Sequence, residues 1–291
     1  MTRPPLPSLA GARHSDVDVD GLRVHVAEVG DGPPLVLLHG WPQHWWTWHR
    51  VAPLLQGDYR LVMPDLRGHG WTDAPEGGYD KEQLASDLLG LLDALALPRV
   101  GLVGHDWGAW TGFLAALRAP ERFSAFLALG IVHPFQRPTV GRALASWRLA
   151  YQVALSTPVL AERVLRTSPR LVEAVVVGGS TRRSAFAGGA ARTYGEVLQD
   201  PARARASSRL YREVVLHEGL PVALGRYRGS RLTVPTRLVV GDGDPVASPA
   251  LLEGWEDCAD DMTVEVLPGV GHFVPEEAPD EVAARARALF G

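Results

Sequence analysis

Cysteine and lysine are almost missing from this chain of 291 residues, which has one cysteine, Cys258, and one lysine, Lys81. A single thiol can form no disulfide within the chain and supplies no cysteine-based metal site. No apolar run approaches the ~18 residues of a membrane span, and the proline-rich start lacks the apolar stretch of a secretory signal. The net charge is −4 and no basic patch stands out. We therefore expect a cytoplasmic protein that binds neither nucleic acid nor membranes.

Short apolar runs alternate with helical patterns along the first half of the chain, which predicts an α/β fold. Two alternating strands flank Asp20-Gly21 and predict a hairpin with a type I′ turn. Apolar runs of this kind are typical of strands buried on both faces of a sheet. We expect a mostly parallel central sheet with helices on both faces. The expected strands after the hairpin cover about 34–38, 59–64, 99–103, 126–132, 236–240 and 263–267.

The pattern changes to purely helical signals from about residue 135 to residue 229. This stretch predicts a helical cap, or lid, inserted into the α/β core. The expected domains are therefore a core of residues 1–134 and 230–291 and a cap of residues 135–229.

Asp106 lies at the point where a buried strand meets a helical pattern. Small residues surround it: Gly104 precedes it by two positions, and Gly108 and Ala109 follow it. Such spacing is typical of a tight strand-to-helix turn that exposes its central residue at the end of a sheet. Most hydrolases with this turn have serine there, whereas this chain places a carboxylate at the position of the nucleophile.

Asp106, Asp244 and His272 follow three predicted strands in the chain order nucleophile, acid, histidine. A carboxylate that attacks carbon forms an alkyl ester, and water activated by a histidine can hydrolyse that ester. Asp244 would orient His272, although Asp242 competes for that role. The backbone N–H groups of Trp41 and Trp107 would hold the oxyanion.

Other side chains near these strand ends are candidates for substrate contact. His39, Pro42 and the indole of Trp107 are expected to line the site. Two tyrosines of the helical stretch, Tyr151 and Tyr227, are candidates for an O–H group above the nucleophile. No histidine pair has metal-ligand spacing, so we expect neither metal nor cofactor.

Together these residues resemble the α/β-hydrolase superfamily, and within it the epoxide hydrolase group. The matching motifs are His39-Gly40-Trp41-Pro42, Asp65-Leu66-Arg67-Gly68-His69-Gly70, Gly104-His105-Asp106-Trp107-Gly108-Ala109, His133-Pro134, Asp244-Pro245 and Gly271-His272. The resemblance implies the α/β-hydrolase fold, an ester on Asp106, and a water-activating pair of His272 and Asp244. It also implies two cap tyrosines that bind the epoxide oxygen. Tyr227 matches the second of these, and Tyr151 is the nearest candidate for the first, with Trp147 or Tyr194 as substitutes.

We therefore expect a hydrolase acting on ether bonds, an epoxide hydrolase that converts an apolar or moderately polar epoxide to a vicinal diol. The protein would be a monomer or a homodimer. A haloalkane or haloacid dehalogenase would use the same aspartate, with Trp107 binding the leaving halide. A ligand-binding protein of this fold without catalysis is a second alternative, although such a protein has no need of a water-activating histidine.

Overall fold

The computed structural model describes residues 4–137, 151–247 and 251–291, and over these residues a single eight-stranded sheet forms the centre of the molecule. The strands are β1 (Arg13–Val19), β2 (Leu22–Val29), β3 (Pro34–Leu38), β4 (Arg60–Pro64), β5 (Val100–His105), β6 (Phe123–Leu129), β7 (Thr236–Gly241) and β8 (Met262–Leu267). Their order is β1-β2-β4-β3-β5-β6-β7-β8. β2 pairs antiparallel with β1 and with β4, and all other neighbours are parallel. The expected fold class is confirmed.

The first hairpin follows its prediction. Val19 pairs with Leu22, which leaves Asp20 and Gly21 as the turn, and both have positive φ as a type I′ turn requires. β1 starts at Arg13. Its first four residues are exposed, so backbone pairing rather than apolar burial extends the strand.

Successive side chains of β3 supply the cores on the two faces of the sheet. Leu35 and Leu37 pack in the same cluster as Trp45 and Trp48, whereas Val36 and Leu38 belong to the cluster on the opposite face. A strand buried on both faces has apolar residues at every position and not only at alternate ones. This explains the unbroken apolar run of β3.

Helices cover both faces of the sheet and connect β6 to β7. Over the described residues they are α1 (Ala52–Leu55), α2 (Lys81–Ala94), α3 (Trp107–Arg118), α4 (Tyr151–Ser156), α5 (Leu160–Thr167), α6 (Pro169–Gly178), α7 (Ala190–Val197), α8 (Pro201–Glu213), α9 (Gly219–Ala223), α10 (Val274–Glu277) and α11 (Pro279–Phe290). We call residues 151–229 the helical segment. Its α7 begins directly after Gly188-Gly189. Along the described chain, no helix is both long and apolar enough to cross a membrane.

Polar groups join the helical segment to the core. The buried guanidinium of Arg203 on α8 donates to the carbonyl oxygens of Gly70 and Thr72. Glu218 accepts a hydrogen bond from the first N–H of α2, at Lys81, with a distance of 2.7 Å. These contacts hold the start of α8 and the residues that follow it against the core.

Candidate active site

Asp106 stands between β5 and α3 with φ 50° and ψ −121°. A non-glycine residue in this region costs on the order of 1–3 kcal/mol, and such strain is typical of functional turns. The small neighbours are required sterically: a Cβ on Gly104 would lie 2.6 Å from Ala109 Cα, and one on Gly108 would overlap the carbonyl oxygen of His39. The turn predicted from the small residues is therefore present.

Two backbone N–H groups hold the Asp106 carboxylate. The Trp41 N–H donates to Asp106 Oδ2 at 2.9 Å, and the Trp107 N–H also bonds to this carboxylate. The carboxylate further lies at the positive N-terminus of α3. Burial nevertheless raises the pKa of Asp106, against the opposing effects of His272 and the two N–H groups.

The structure brings His272 and Asp244 to the same place. His272 Nδ1 lies 3.1 Å from Asp244 Oδ2, and His272 Nε2 lies 3.9 Å from Asp106 Oδ1. The Val246 and Ala247 N–H groups donate to Asp244 Oδ1 at 2.7 and 3.2 Å. Each ring nitrogen thus faces one carboxylate, with a direct bond only on the Asp244 side.

The competing acid, Asp242, faces elsewhere. Asp242 Oδ1 accepts a hydrogen bond from the Gly269 N–H at 2.8 Å, and Asp242 is exposed. The pairing of His272 with Asp244 therefore resolves the alternative that the spacing left open.

Neighbouring charges determine the protonation of His272 and Asp244. Burial alone would lower the pKa of His272, but the charge and hydrogen bond of Asp244 and the charge of Asp106 raise it to about 9. Burial would raise the pKa of Asp244, but His272 and the two N–H groups outweigh it and lower that pKa. The arrangement thus favours an imidazolium between two carboxylates in the free protein.

His39 does not line the site, contrary to expectation. Its ring is fully buried, Nδ1 pairs with the Gly40 carbonyl oxygen at 3.0 Å, and Nε2 accepts the Leu66 N–H at 3.0 Å. Burial lowers the pKa of His39 to about 3, so the ring is neutral and ties the loop after β3 to the loop after β4. Pro42 is buried within the first of these loops, and its contact with substrate stays a prediction.

Two tyrosines of the helical segment lie near Asp106, and one of them is Tyr211, which the sequence analysis missed. Tyr211 on α8 is 1% exposed, and its ring packs edge to face on Trp41 and Trp107, with ring centroids 5.2 and 5.8 Å apart. The Tyr151 ring meets it at 6.0 Å.

The charge of Asp106 acts on both hydroxyl groups. The pKa of Tyr151 is raised by desolvation of its hydroxyl and then by the charge of Asp106, although 37% of the side chain is exposed. The pKa of Tyr211 is raised by burial, then by Tyr151 and Asp106. The one sequence signal for Tyr211 is a bulky aromatic residue on a helix otherwise rich in arginine, serine and alanine.

The expectation for Tyr227 is wrong, because its hydroxyl donates to Glu82 Oε1 at 2.9 Å instead of facing Asp106. Tyr211, like Tyr227, stands next to an arginine in the sequence. Tyr194 is also occupied elsewhere, since its hydroxyl bonds to Glu276. Trp147, the other substitute considered, lies outside the described residues.

The single lysine lies behind Trp107. Lys81 is 2% exposed, its Nζ lies 4.5 Å from the Trp107 ring centroid and 3.2 Å from Glu218 Oε2. Burial lowers the pKa of Lys81, and Glu218 opposes that effect. This pair connects α2 to the residues that directly follow α8, which carries Tyr211.

Comparison with known proteins identifies the family and several relatives of this chain. A family model described as "alpha/beta hydrolase fold" matches residues 33–279. The chain is 27% identical over 296 residues to a soluble epoxide hydrolase of Corynebacterium sp. (strain C12), a match that covers 95% of this chain and 96% of the relative. It is 31% identical over 292 residues to a fluoroacetate dehalogenase of Burkholderia sp, which covers 94% of this chain and 92% of the relative.

A solved structure is similar over the whole length. The crystal structure of wild-type Cfl2 from Burkholderia cenocepacia matches with a TM-score of 0.86 and 30% identity, covering 100% of this chain and 99% of that one.

Proposed function

The chain belongs to the α/β-hydrolase fold family, and from that premise we propose that it is an epoxide hydrolase with Asp106 as its nucleophile. The observation that carries the proposal is the set of groups around one carboxylate. Two backbone N–H groups of the core bond to the Asp106 carboxylate, and His272 faces it. Its charge acts on the hydroxyl groups of Tyr151 and Tyr211, which belong to the helical segment. In this proposal residues 135–229 act as a cap over a core of residues 1–134 and 230–291.

In the first step, Asp106 Oδ1 attacks an epoxide carbon, because Oδ2 is engaged by the Trp41 N–H. A C–O bond of the ring breaks, and Tyr211 and Tyr151 donate hydrogen bonds to the alkoxide that forms. The phenol proton passes to that oxygen, and the product of the step is a β-hydroxyalkyl ester on Asp106. The tyrosinate is reprotonated with the proton that the His272 imidazolium loses when Asp106 becomes a neutral ester.

In the second step, water hydrolyses the ester on Asp106. His272 Nε2 accepts a proton from water, whose oxygen attacks the ester carbonyl carbon of Asp106. The negative charge then gathers on Oδ2, which already accepts the Trp41 N–H, and the Trp107 N–H is a second donor at this carboxyl group. When this intermediate collapses, the bond from the carbonyl carbon to the former Oδ1 breaks, and the His272 imidazolium protonates that leaving oxygen. The vicinal diol departs with the former Oδ1, and Asp106 keeps the oxygen from water. The proton of the new carboxyl group passes to His272, which restores the starting state.

Ester formation itself prepares His272 for this role. The charge of Asp106 is one cause of the raised pKa of His272, and the ester carries no such charge. The pKa of His272 therefore falls in the intermediate, and the imidazole becomes a base when a base is needed.

The similarity to a fluoroacetate dehalogenase and the indole of Trp107 beside Asp106 favour carbon–halogen cleavage as the second candidate. The two tyrosines favour the epoxide, because an opening epoxide needs a proton on oxygen and a departing halide does not.

Isotope labelling tests the proposal. The protein is turned over in oxygen-18 water with a panel of alkyl and aryl epoxides, and the Asp106 peptide is analysed by mass spectrometry. We expect diol formation and one or two labelled oxygens in Asp106 after repeated turnovers. Turnover without label in this peptide would exclude the ester mechanism. Halide release from fluoroacetate or 1-bromobutane without diol formation from any epoxide would select the dehalogenase.

A further inference from the structure

Glu277, at the end of α10, is buried, and its carboxylate gathers backbone N–H groups from two parts of the chain. Oε2 accepts the N–H groups of Gly271, Thr181 and Arg182 at 2.9, 2.9 and 2.8 Å. Oε1 accepts the Phe273 N–H at 3.1 Å. The guanidinium of Arg182 also donates to the Glu277 carbonyl oxygen at 3.2 Å. One side chain therefore ties the residues on both sides of His272 to the helical segment.

An ionised carboxylate is the side chain that suits this arrangement. It offers about four acceptor sites and no donor, and four N–H groups point at it. A glutamine of the same shape would keep one oxygen and turn its NH₂ group toward N–H donors. Buried donors that lose their acceptor are costly.

One further backbone hydrogen bond of His272 reaches the same part of the helical segment. Its N–H donates to the Gly179 carbonyl oxygen at 2.8 Å, and its carbonyl oxygen pairs with His105 Nε2 at 2.9 Å. A Cβ on Gly271 would lie 2.6 Å from the Gly179 oxygen and from the Thr181 nitrogen. The segment 179–182 and the His272 loop are thus packed in direct backbone contact.

We propose that Glu277 is a positioning residue, which fixes the His272 loop on segment 179–182 so that the imidazole faces Asp106. The inference rests on the proposed role of His272 in ester hydrolysis. Glu277 touches neither the substrate nor the reacting atoms in this proposal, and it acts through His272.

Glu277 also acts on His272 by its charge. The negative charges that raise the pKa of His272 belong to Asp244, Asp106 and Glu277. The other titratable ring beside it is His105, whose pKa burial lowers to about 3, so that it stays neutral. Removing the charge of Glu277 should therefore lower the titration midpoint of His272.

The neighbouring Glu276 provides a matched control. It is fully buried, its Oε1 pairs with Tyr194 and with Gln43 Nε2, and its backbone carbonyl accepts from Arg50. Burial raises the pKa of Glu276 to about 8, so at pH 7 it is mostly protonated. Glu276→Gln thus changes little charge, whereas Glu277→Gln removes one.

The first test is the NMR titration of His272, identified among the ten histidines by comparison with His272→Gln. We expect Glu277→Gln to lower the midpoint by on the order of one pH unit and Glu276→Gln to leave it unchanged. Equal midpoints in the wild type and in Glu277→Gln would overturn the proposal.

The second test separates the two chemical steps with styrene oxide, or with the panel epoxide that the wild type turns over. In single-turnover experiments followed by intact mass, Glu277→Gln should form the ester within about threefold of the wild-type rate. Its ester should decay slower by on the order of 10- to 100-fold, because a displaced base is a poor catalyst. Ester decay at the wild-type rate would contradict the proposal, as would equal slowing by Glu276→Gln.

A further variant covers the case in which Glu277→Gln does not fold. Glu277→Asp keeps the charge but is too short to reach all four N–H groups, so the midpoint of His272 should stay near that of the wild type while ester decay slows. Wild-type decay in Glu277→Asp would overturn the positioning role. Failure of the proposed function has a different signature: the wild type would form no ester with any epoxide, while the titration of His272 would still report on Glu277.

Discussion

Asp106 and Tyr211 lie at the same site, but the molecule holds them in different ways. Asp106 is held by its backbone, with positive φ, small neighbours and N–H groups directed at its carboxylate. Tyr211 is held by packing, with its ring against Trp41, Trp107 and Tyr151. A backbone constraint restricts which residue types can occur nearby, whereas a packing constraint only requires that neighbouring shapes fit. The core half of the site, around Asp106, can therefore be recognised as a sequence motif. The helical half, which carries Tyr211, cannot.

The largest effect on the rate is expected in the core half of the site, where the backbone holds Asp106. In the proposed mechanism Asp106→Asn removes the nucleophile, so ester formation should fall by at least about 10⁴-fold while the fold is kept, as measured by intact mass and circular dichroism. Asp242→Asn is the control, because that acid bonds only to the Gly269 N–H among the contacts described; it should keep wild-type activity. Normal ester formation in Asp106→Asn would refute the assignment of the nucleophile.

The helical half of the site, where packing holds Tyr211, is tested by removing the hydroxyl group from one tyrosine at a time. Tyr211→Phe should slow epoxide opening by about 10²- to 10³-fold, since the alkoxide loses a proton donor. Tyr227→Phe makes the same chemical change at a hydroxyl bonded to Glu82, and it should alter the rate by less than about threefold. The reverse ranking of these variants, measured by single-turnover kinetics, would restore Tyr227 as the donor.

The smallest of these effects concerns the junction between the two halves. Lys81→Met leaves Glu218 without its ammonium partner, although Glu218 keeps its bond to the backbone N–H of residue 81. We expect the free energy of unfolding to fall by about 2 kcal/mol, less than for a fully buried pair. Urea denaturation measures this. Arg231→Met, at an exposed pair with Asp260, should change it by no more than about 0.5 kcal/mol. Equal losses in both variants would show that the buried pair does not join the halves.

Much of the fold could be predicted because its signals are local. The strand at Pro34–Leu38, the turn at Asp20-Gly21 and the helix of residues 81–94 follow from apolar runs, turn residues and helical spacing. The parallel sheet then places the ends of β5, β7 and β8 at one edge, which is why Asp106, Asp244 and His272 could be grouped before their distances were known.

The errors share a physical cause. His39 was assigned to the substrate because of its place in a strand-end motif, but its two ring nitrogens hold backbone groups of neighbouring loops. Tyr227 was assigned as a donor from the resemblance, whereas Tyr211, which also stands beside an arginine in a helical stretch, was missed. Which of them faces Asp106 depends on how the helices pack, and neither periodicity nor composition encodes that.

The sequence by itself determined the sheet, the strand-to-helix turn and the aspartate in it, because backbone sterics and apolar periodicity act over a few residues. The tertiary structure alone decided which tyrosine faces that aspartate, which acid pairs with His272, and that Glu277 joins the histidine loop to segment 179–182. Those contacts join residues about 30 to more than 100 positions apart. They exist only once the helical segment has packed on the core, when burial and charge select one partner among several of the same residue type.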